Sequence, residues 1–317
     1  MNLIRPKITV LTPVFNEEGN LDRYFETTTE VLISRTDLDI SVMFIDDGSS
    51  DGSWRKIEEI CKRNAKFSGL RLSRNFGAHV ALSAGFHHAS GNAVATLACD
   101  LQDPPETIIE FVEKWRNGTK IVWGKRRTRE DKGWRILMSR MFFFLIRKYA
   151  MPKGSKFTTG SFLLADQLVV DAYRKFKESN RVTFALMAWT GFEQDVVFYD
   201  RRRREAGVSG WNFFQMTNTM YDTLIGFSDL PIKMMTLTGV LVSIANIPLT
   251  AFVLLSYIFE RPLEGWTSTM LIISIFFGIH FLLMGLTGEY LRRIYAESLR
   301  RPLYFICESA NSEIPHG

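Results

Sequence analysis

The chain has 317 residues, 46% of them apolar and 23% charged, which allows a sizeable core and excludes both a disordered tail and a collagen-like fibre. Its three cysteines, Cys61, Cys99 and Cys307, stand far apart with no C-x-x-C spacing, so a disulfide scaffold and a cysteine zinc site are both out and a reducing compartment fits. The formal net charge of +5 lies wholly in the first 232 residues, because six Lys/Arg balance six Asp/Glu from Lys233 onward.

Residues 8–11 form a short β-rich run that Thr12-Pro13 stops, and Asn16-Glu17-Glu18 opens a helix. The next strand, 42–45, ends in Asp46-Asp47-Gly48-Ser49-Ser50-Asp51-Gly52-Ser53, and a helical pattern follows from Trp54. Residues 70–72 lead through Ser73-Arg74-Asn75-Phe76-Gly77 into a third helix, a polar one on which His79, His87 and His88 are expected to be solvated. A strand over 94–99 ends in Asp100-Leu101-Gln102-Asp103-Pro104-Pro105-Glu106, with a helix starting at the prolines, and 120–123 reads as one more strand. Strands alternating with helices predict an α/β domain with a mostly parallel sheet covered on both faces. Ligands of such sheets bind beyond the carboxyl ends of the strands, where both acidic clusters fall.

Lys120 to Lys153 carries eleven Lys/Arg against Glu130 and Asp131, with Trp134, Met141, Phe142, Phe143 and Phe144 interleaved. A helix over about 134–150 with that make-up suits the headgroup region of an anionic membrane; an amphipathic core helix is the plainer alternative. The same apolar residues argue against a nucleic-acid surface, and no nucleic-acid motif accompanies them. A neutral, aromatic stretch over 211–232 then leads into 234–259, which holds no charged residue, and a second such run covers 265–288 with His280 as its one ionisable group. At about 1.5 Å per residue each run exceeds a hydrocarbon core of about 30 Å, so two transmembrane helices, about 234–259 and 266–288, are expected after the soluble domain. The connector around Arg261 sums to −1, whereas Lys233 precedes the first run and Arg292, Arg293, Arg300 and Arg301 follow the second. Positive-inside reasoning then places both termini and the domain 1–210 in the cytoplasm, and no leader-length apolar run follows Arg5 and Lys7.

Turn chemistry accounts for Asp51 and Ser53 as caps of the next helix, and Asp103 before Pro104-Pro105 reads as an N-cap. It accounts poorly for the adjacent carboxylates Asp46 and Asp47, so Asp46 is a ligand-contacting candidate. Asp100 and Gln102 offer two oxygens after a buried strand, the donor type that Mg²⁺ and Mn²⁺ prefer and share with substrate phosphates. The chain has no G-x-G-x-x-G after a strand, no P-loop, no H-E-x-x-H and no G-x-S-x-G. Arg201-Arg202-Arg203-Arg204, ahead of Gly207-Val208-Ser209-Gly210, is either a solvated charge run or a phosphate-binding fork.

Five of these motifs in order, Thr12-Pro13-Val14-Phe15-Asn16-Glu17-Glu18, the Asp46–Ser53 cluster, Leu72-Ser73-Arg74-Asn75-Phe76-Gly77, the Asp100–Glu106 cluster and Arg201-x-x-Arg204-x-x-Gly207-x-Ser209, resemble the family 2 inverting glycosyltransferases that act on polyprenyl phosphates. That group includes dolichol-phosphate mannose synthases and bactoprenol glucosyltransferases, and the paired apolar runs match the bactoprenol branch. The resemblance implies a GT-A fold in which Pro13, Phe15, Glu17 and Asp46 hold the nucleotide, and Asp100 and Gln102 hold Mg²⁺ or Mn²⁺ on the donor pyrophosphate. Arg201, Arg204 and Ser209 would then lie near donor or acceptor phosphates. The acceptor would be a lipid phosphate such as undecaprenyl phosphate, largely dianionic at neutral pH, so that positioning matters more than a strong base. Asp166 matches an acidic position of the family and is the candidate base or orienting group, and relatives suggest a homo-oligomer. The chain departs from the pattern at Ala98, where an acid is usual, and at Ser161, Leu163, Gly210 and His79. These departures leave a weakened homologue serving as a membrane assembly subunit as the alternative, ahead of a processive synthase, for which the Gln-x-x-Arg-Trp motif is missing.

Overall fold

Four parallel strands set the centre of the computed structural model, which describes residues 5–127, 152, 155–156, 161–178, 181–202, 234–242, 244, 247–248, 251, 255 and 265–312. β1 (Lys7–Val14), β2 (Asp39–Asp46), β3 (Phe67–Leu72) and β4 (Ala93–Thr96) are each followed by a helix: α1 (Glu18–Thr28), α2 (Ser53–Arg63), α3 (Ala78–His88) and α4 (Thr107–Arg116). β1, β2 and β4 are nearly continuous buried runs, as parallel strands covered on both faces must be. β5 (Ile121–Arg126), β6 (Leu163–Asp166) and β7 (Gln194–Tyr199) extend the sheet past β4, and β8 (Ile306–Ala310) lines the far side of β3. The order is β7-β5-β6-β4-β1-β2-β3-β8, with β6 and β8 antiparallel to their neighbours and the remaining pairs parallel.

One face of the sheet buries Leu21 and Tyr24 of α1, Trp54, Ile57 and Ile60 of α2, and Ile108 and Phe111 of α4 against Val10, Val42 and Phe44. On the other face α3 comes so close that a Cβ at Gly85 would meet Ile45 and Leu11 at about 3 Å. There α5 (Gln167–Arg174) and α6 (Thr183–Trp189) pack with α3, joined by Ser83 and Thr183 around the Tyr173 hydroxyl. α3 is therefore a buried helix, not a polar one. His79 packs edge-on to Phe184, His87 Nδ1 bonds the Ser83 carbonyl at 2.8 Å, and burial pushes the pKa of His79, His87 and His88 down.

Pro13 does not stop β1, which runs on to Val14. β4 pairs with β1 only as far as Leu11, so Pro13 lies beyond the doubly bonded part of the strand, where its missing N–H costs little.

Residues 1–217 with 302–317 form one compact unit, and 218–301 form a second. The second contains α7 (Trp266–Ser298), a helix of 33 residues. Among the described residues no helix is long and apolar enough to cross a membrane, so the helices themselves add no support to the two expected spans. The amphipathic helix over 134–150, the stretch 211–232 and most of 243–259 lie outside the described residues.

Candidate active site

The loops that leave the carboxyl ends of β1 and β2 are tied to one another. Asn16 donates its N–H to Ser49 Oγ at 3.0 Å and accepts from Ser50 N through Oδ1 at 2.9 Å. Glu17 N donates to Ser53 Oγ, while Asp51 accepts from Ser53 N and Glu18 N, which is the helix-entry role its position predicts. Asn16 and Leu101 hold left-handed backbone at φ 54° and 51°, so each loop turns sharply just past its strand. Such conformations gather where a site over-determines the backbone.

Asp46 and Asp47 are both buried but serve different ends. Asp47 takes the Phe76 and Gly77 N–H groups at 2.8 Å each, one per carboxylate oxygen. It is a structural bracket for the β3–α3 loop. Gly48, at φ 68°, allows that loop to approach; a Cβ there would lie 2.4 Å from the Arg74 carbonyl carbon. Asp46 accepts from Ser49 N at 3.3 Å and has Arg71 Nε 3.3 Å from Oδ2. Burial pushes its pKa up, against the hydrogen bonds of Ser49 and the charge of Arg71.

Phe15 is 45% exposed at the end of β1. Pro13 and Glu17, flanking it, are half-buried. Cys99, fully buried at the end of the β4 segment, has its thiol pKa pushed up by burial and then by the charges of Glu17 and Asp100. Those two carboxylates therefore stand around one spot between the β1 and β4 loops. The half-exposed Asp100 accepts from Gln102 N at 3.2 Å, and Gln102 O accepts from Arg202 N at 2.9 Å. Arg201 directly precedes Arg202: burial lowers its pKa, as does the neighbouring Arg126, while Asp103 and Asp100 raise it.

Asp103 is not the helix cap its sequence context suggests. It is buried, accepts from Tyr199 OH at 2.6 Å, and has Arg126 and Arg201 nitrogens at 4.0 and 3.9 Å. Two guanidinium groups thus stand beside Asp103, one from β5 and one from just after β7, and Arg201 also feels the charge of Asp100. Arg126 and Tyr199 escaped the sequence reading: Arg126 was absorbed into the basic run, and Tyr199 lies on a strand with no motif.

The structure separates Asp166 from this crevice. β6 runs antiparallel to β4, with Asp166 opposite Ala93, so its carboxylate lies at the amino ends of the parallel strands. It caps α5 through Leu168 N at 2.9 Å and takes Trp115 Nε1 at 2.8 Å and Lys120 Nζ at 3.0 Å. Burial pushes its pKa up, but those three donors outweigh that and hold it below the usual carboxylate range. A base or orienting role at the crevice is not open to it. The opposite end of β6 does reach the site: the Ser161 carbonyl and Leu163 N both bond Thr96 Oγ1. Arg204 and Ser209 lie outside the described residues.

Among the described residues no three His, Cys, Asp or Glu side chains gather as a metal site. Asp100 and Gln102 bring two hard oxygen donors, a sparse set that fits a divalent ion whose remaining ligands are substrate phosphates and water.

A model of glycosyl transferase family 2 matches residues 9–174. An uncharacterized glycosyltransferase of Synechocystis is 36% identical over 306 residues, covering 95% of each chain. The bactoprenol glucosyl transferase of Shigella phage SfV is 33% identical over 302 residues, 95% of this chain and 98% of that protein. Among solved structures, a mannosyltransferase of Pyrobaculum calidifontis in complex with GDP-Man and Mn²⁺ covers 84% of both chains at 15% identity and a TM-score of 0.45.

Proposed function

The chain belongs to glycosyl transferase family 2, a glycosyltransferase with a GT-A α/β fold that takes its sugar from a nucleotide-sugar, and we propose that it passes that sugar singly to a polyprenyl phosphate at the cytoplasmic face of a membrane. The observation that carries this reading is the crevice beyond the strand ends, where Arg126 and Arg201 flank the buried Asp103 and the Asp100 charge acts on Arg201. It is built for two phosphate-bearing substrates. Phe15 offers an exposed aromatic face for a base, with Pro13, Glu17 and Asp46 around it for base and ribose. A uridine nucleotide is the donor we favour.

Asp100 and Gln102 would hold Mg²⁺ or Mn²⁺, which neutralises charge on the departing nucleoside diphosphate. Arg201 and Arg126 would hold phosphate oxygens of donor and acceptor, the role that the sequence resemblance also gives Arg204 and Ser209. The acceptor phosphate oxygen forms the new bond to the anomeric carbon as the bond to the diphosphate oxygen breaks on the opposite face, with inversion. A phosphate of second pKa about 6 needs no strong base at neutral pH. Ser161, standing where the family often has a carboxylate, fits that economy.

The membrane placement has two supports. The chain leaves the sheet domain before residue 218 and rejoins it by 302, so any crossing between must come in an even number. The composition of the full sequence supplies the second: 234–259 holds no charged residue, and 266–287 holds no Asp, Glu, Lys or Arg. We place two spans in the cytoplasmic membrane with both termini and the domain on the cytoplasmic side, and assembly as a homo-oligomer. Asp100→Ala tests the site: turnover should fall at least about a hundredfold in a folded protein. Undiminished turnover would remove Asp100 from the mechanism.

A further inference from the structure

The last strand of the sheet comes from the far end of the chain, after α7, and it lands next to the loop of Asp46. β8 pairs antiparallel with β3, with Glu308 directly opposite Arg71. Glu308 is held on both oxygens: Arg71 Nη1 donates to Oε1 at 2.5 Å and Trp54 Nε1 to Oε2 at 2.9 Å. Arg71 in turn places Nε 3.3 Å from Asp46 Oδ2 and Nη2 3.4 Å from the Ser49 carbonyl. Asp46 Oδ2 is buried and accepts no hydrogen bond within the described chain, so Arg71 is its charge partner. The Arg71 side chain itself is 30% exposed. At the outer end of its guanidinium Glu308 is the one charged partner, the Ser49 carbonyl being a longer, neutral one.

We propose that Glu308 is a positioning residue for the nucleotide donor: it pins Arg71, and Arg71 sets the Asp46 carboxylate and the 46–49 loop in their binding geometry. The strand that follows α7 is thereby part of the donor site. Without the Glu308 charge, Arg71 swings into solvent, leaving Asp46 desolvated and unpaired. A buried carboxylate in that condition takes up a proton and ceases to be a charged acceptor. The contact needs no substrate to form, so it pre-organises the loop before the donor arrives. This proposal rests on the reading of Asp46 as a donor-binding group.

The test is calorimetric titration of UDP, and of GDP in parallel, with Mn²⁺, into the full chain in detergent. Glu308→Gln keeps an acceptor for Trp54 and loses the charge toward Arg71. It should weaken nucleotide binding about tenfold, the size expected from loosening one charge-assisted hydrogen bond. Combining it with Arg71→Lys should add little to Arg71→Lys alone, since the two act in series. Asn311→Ala is the control for mere docking of β8: its side-chain amide donates to the Cys61 and Phe67 carbonyls, remote from Asp46 in the hydrogen-bond network. That variant should lower the melting temperature and leave nucleotide affinity unchanged. Wild-type binding with an unaltered Glu308→Gln, or equal weakening by Asn311→Ala, would overturn the proposal alone. A wild-type chain that binds neither nucleotide would overturn the donor reading and the proposal together.

Discussion

Asp46 and Asp47 show how two adjacent identical side chains acquire different tasks from their partners. Asp47 is satisfied by two backbone N–H groups, so Asp47→Ala leaves two donors without their acceptor and should cost about 2–4 kcal/mol of stability in denaturant titrations. A loss below about 0.5 kcal/mol would show that water replaces the carboxylate at no cost. Gly48→Ala should be at least as damaging, because the new Cβ would collide with backbone that cannot retreat. The acidic pair was legible in the sequence as an anomaly, but the division of labour was not, because Phe76 and Arg71 come from a different loop and strand. Asp51 was legible because its partners, Ser53 and Glu18, sit in the adjoining loops. Asp103 was misread for the opposite reason: its partner, Tyr199, lies 96 residues away, and no local rule reaches that far.

At the level of elements, the parallel β-helix-β core was readable because each strand is an apolar run closed by turn chemistry. β6, β7 and β8 were not readable. β6 and β8 are short and antiparallel, and β7 joins through pairing with β5, so their places are fixed by tertiary register. That register decides the fate of Asp166. A four-residue strand running the other way carries it to the wrong end of the sheet, where it ties α5 to Trp115 and Lys120. Asp166→Asn should therefore leave turnover unchanged and lower stability by about 1–3 kcal/mol at neutral pH. The sign of its pH dependence follows from a folded pKa below the unfolded value of about 3.9. Its contribution is fully present above about pH 4 and is lost as the pH falls through the depressed folded value, so the variant should show a flatter acid limb. A large loss of turnover in a stable Asp166→Asn protein would return it to the site.

The whole molecule is a sheet domain whose final strand is delivered by the segment that follows α7. Both ends of the 218–301 unit join the same domain, which ties the orientation of the expected hairpin to the position of β8. Cys307, the exposed thiol on β8, reports that orientation, since Cys61 and Cys99 are buried. A membrane-impermeant maleimide should label it in inside-out vesicles and not in intact cells; labelling from outside alone would reverse the topology. Two spans are an expectation from composition that the described helices do not support, and the return of the chain into the sheet was not legible at all. The central claim concerns chemistry, and one assay meets it directly: purified protein in detergent, undecaprenyl phosphate, Mg²⁺ or Mn²⁺, and a panel of UDP- and GDP-sugars, read by mass spectrometry. The account expects one donor to yield a lipid carrying a single sugar on its phosphate, with no such product from Asp100→Ala. Nucleotide-sugar consumed with no sugar on the lipid, or no product from any donor, would contradict it.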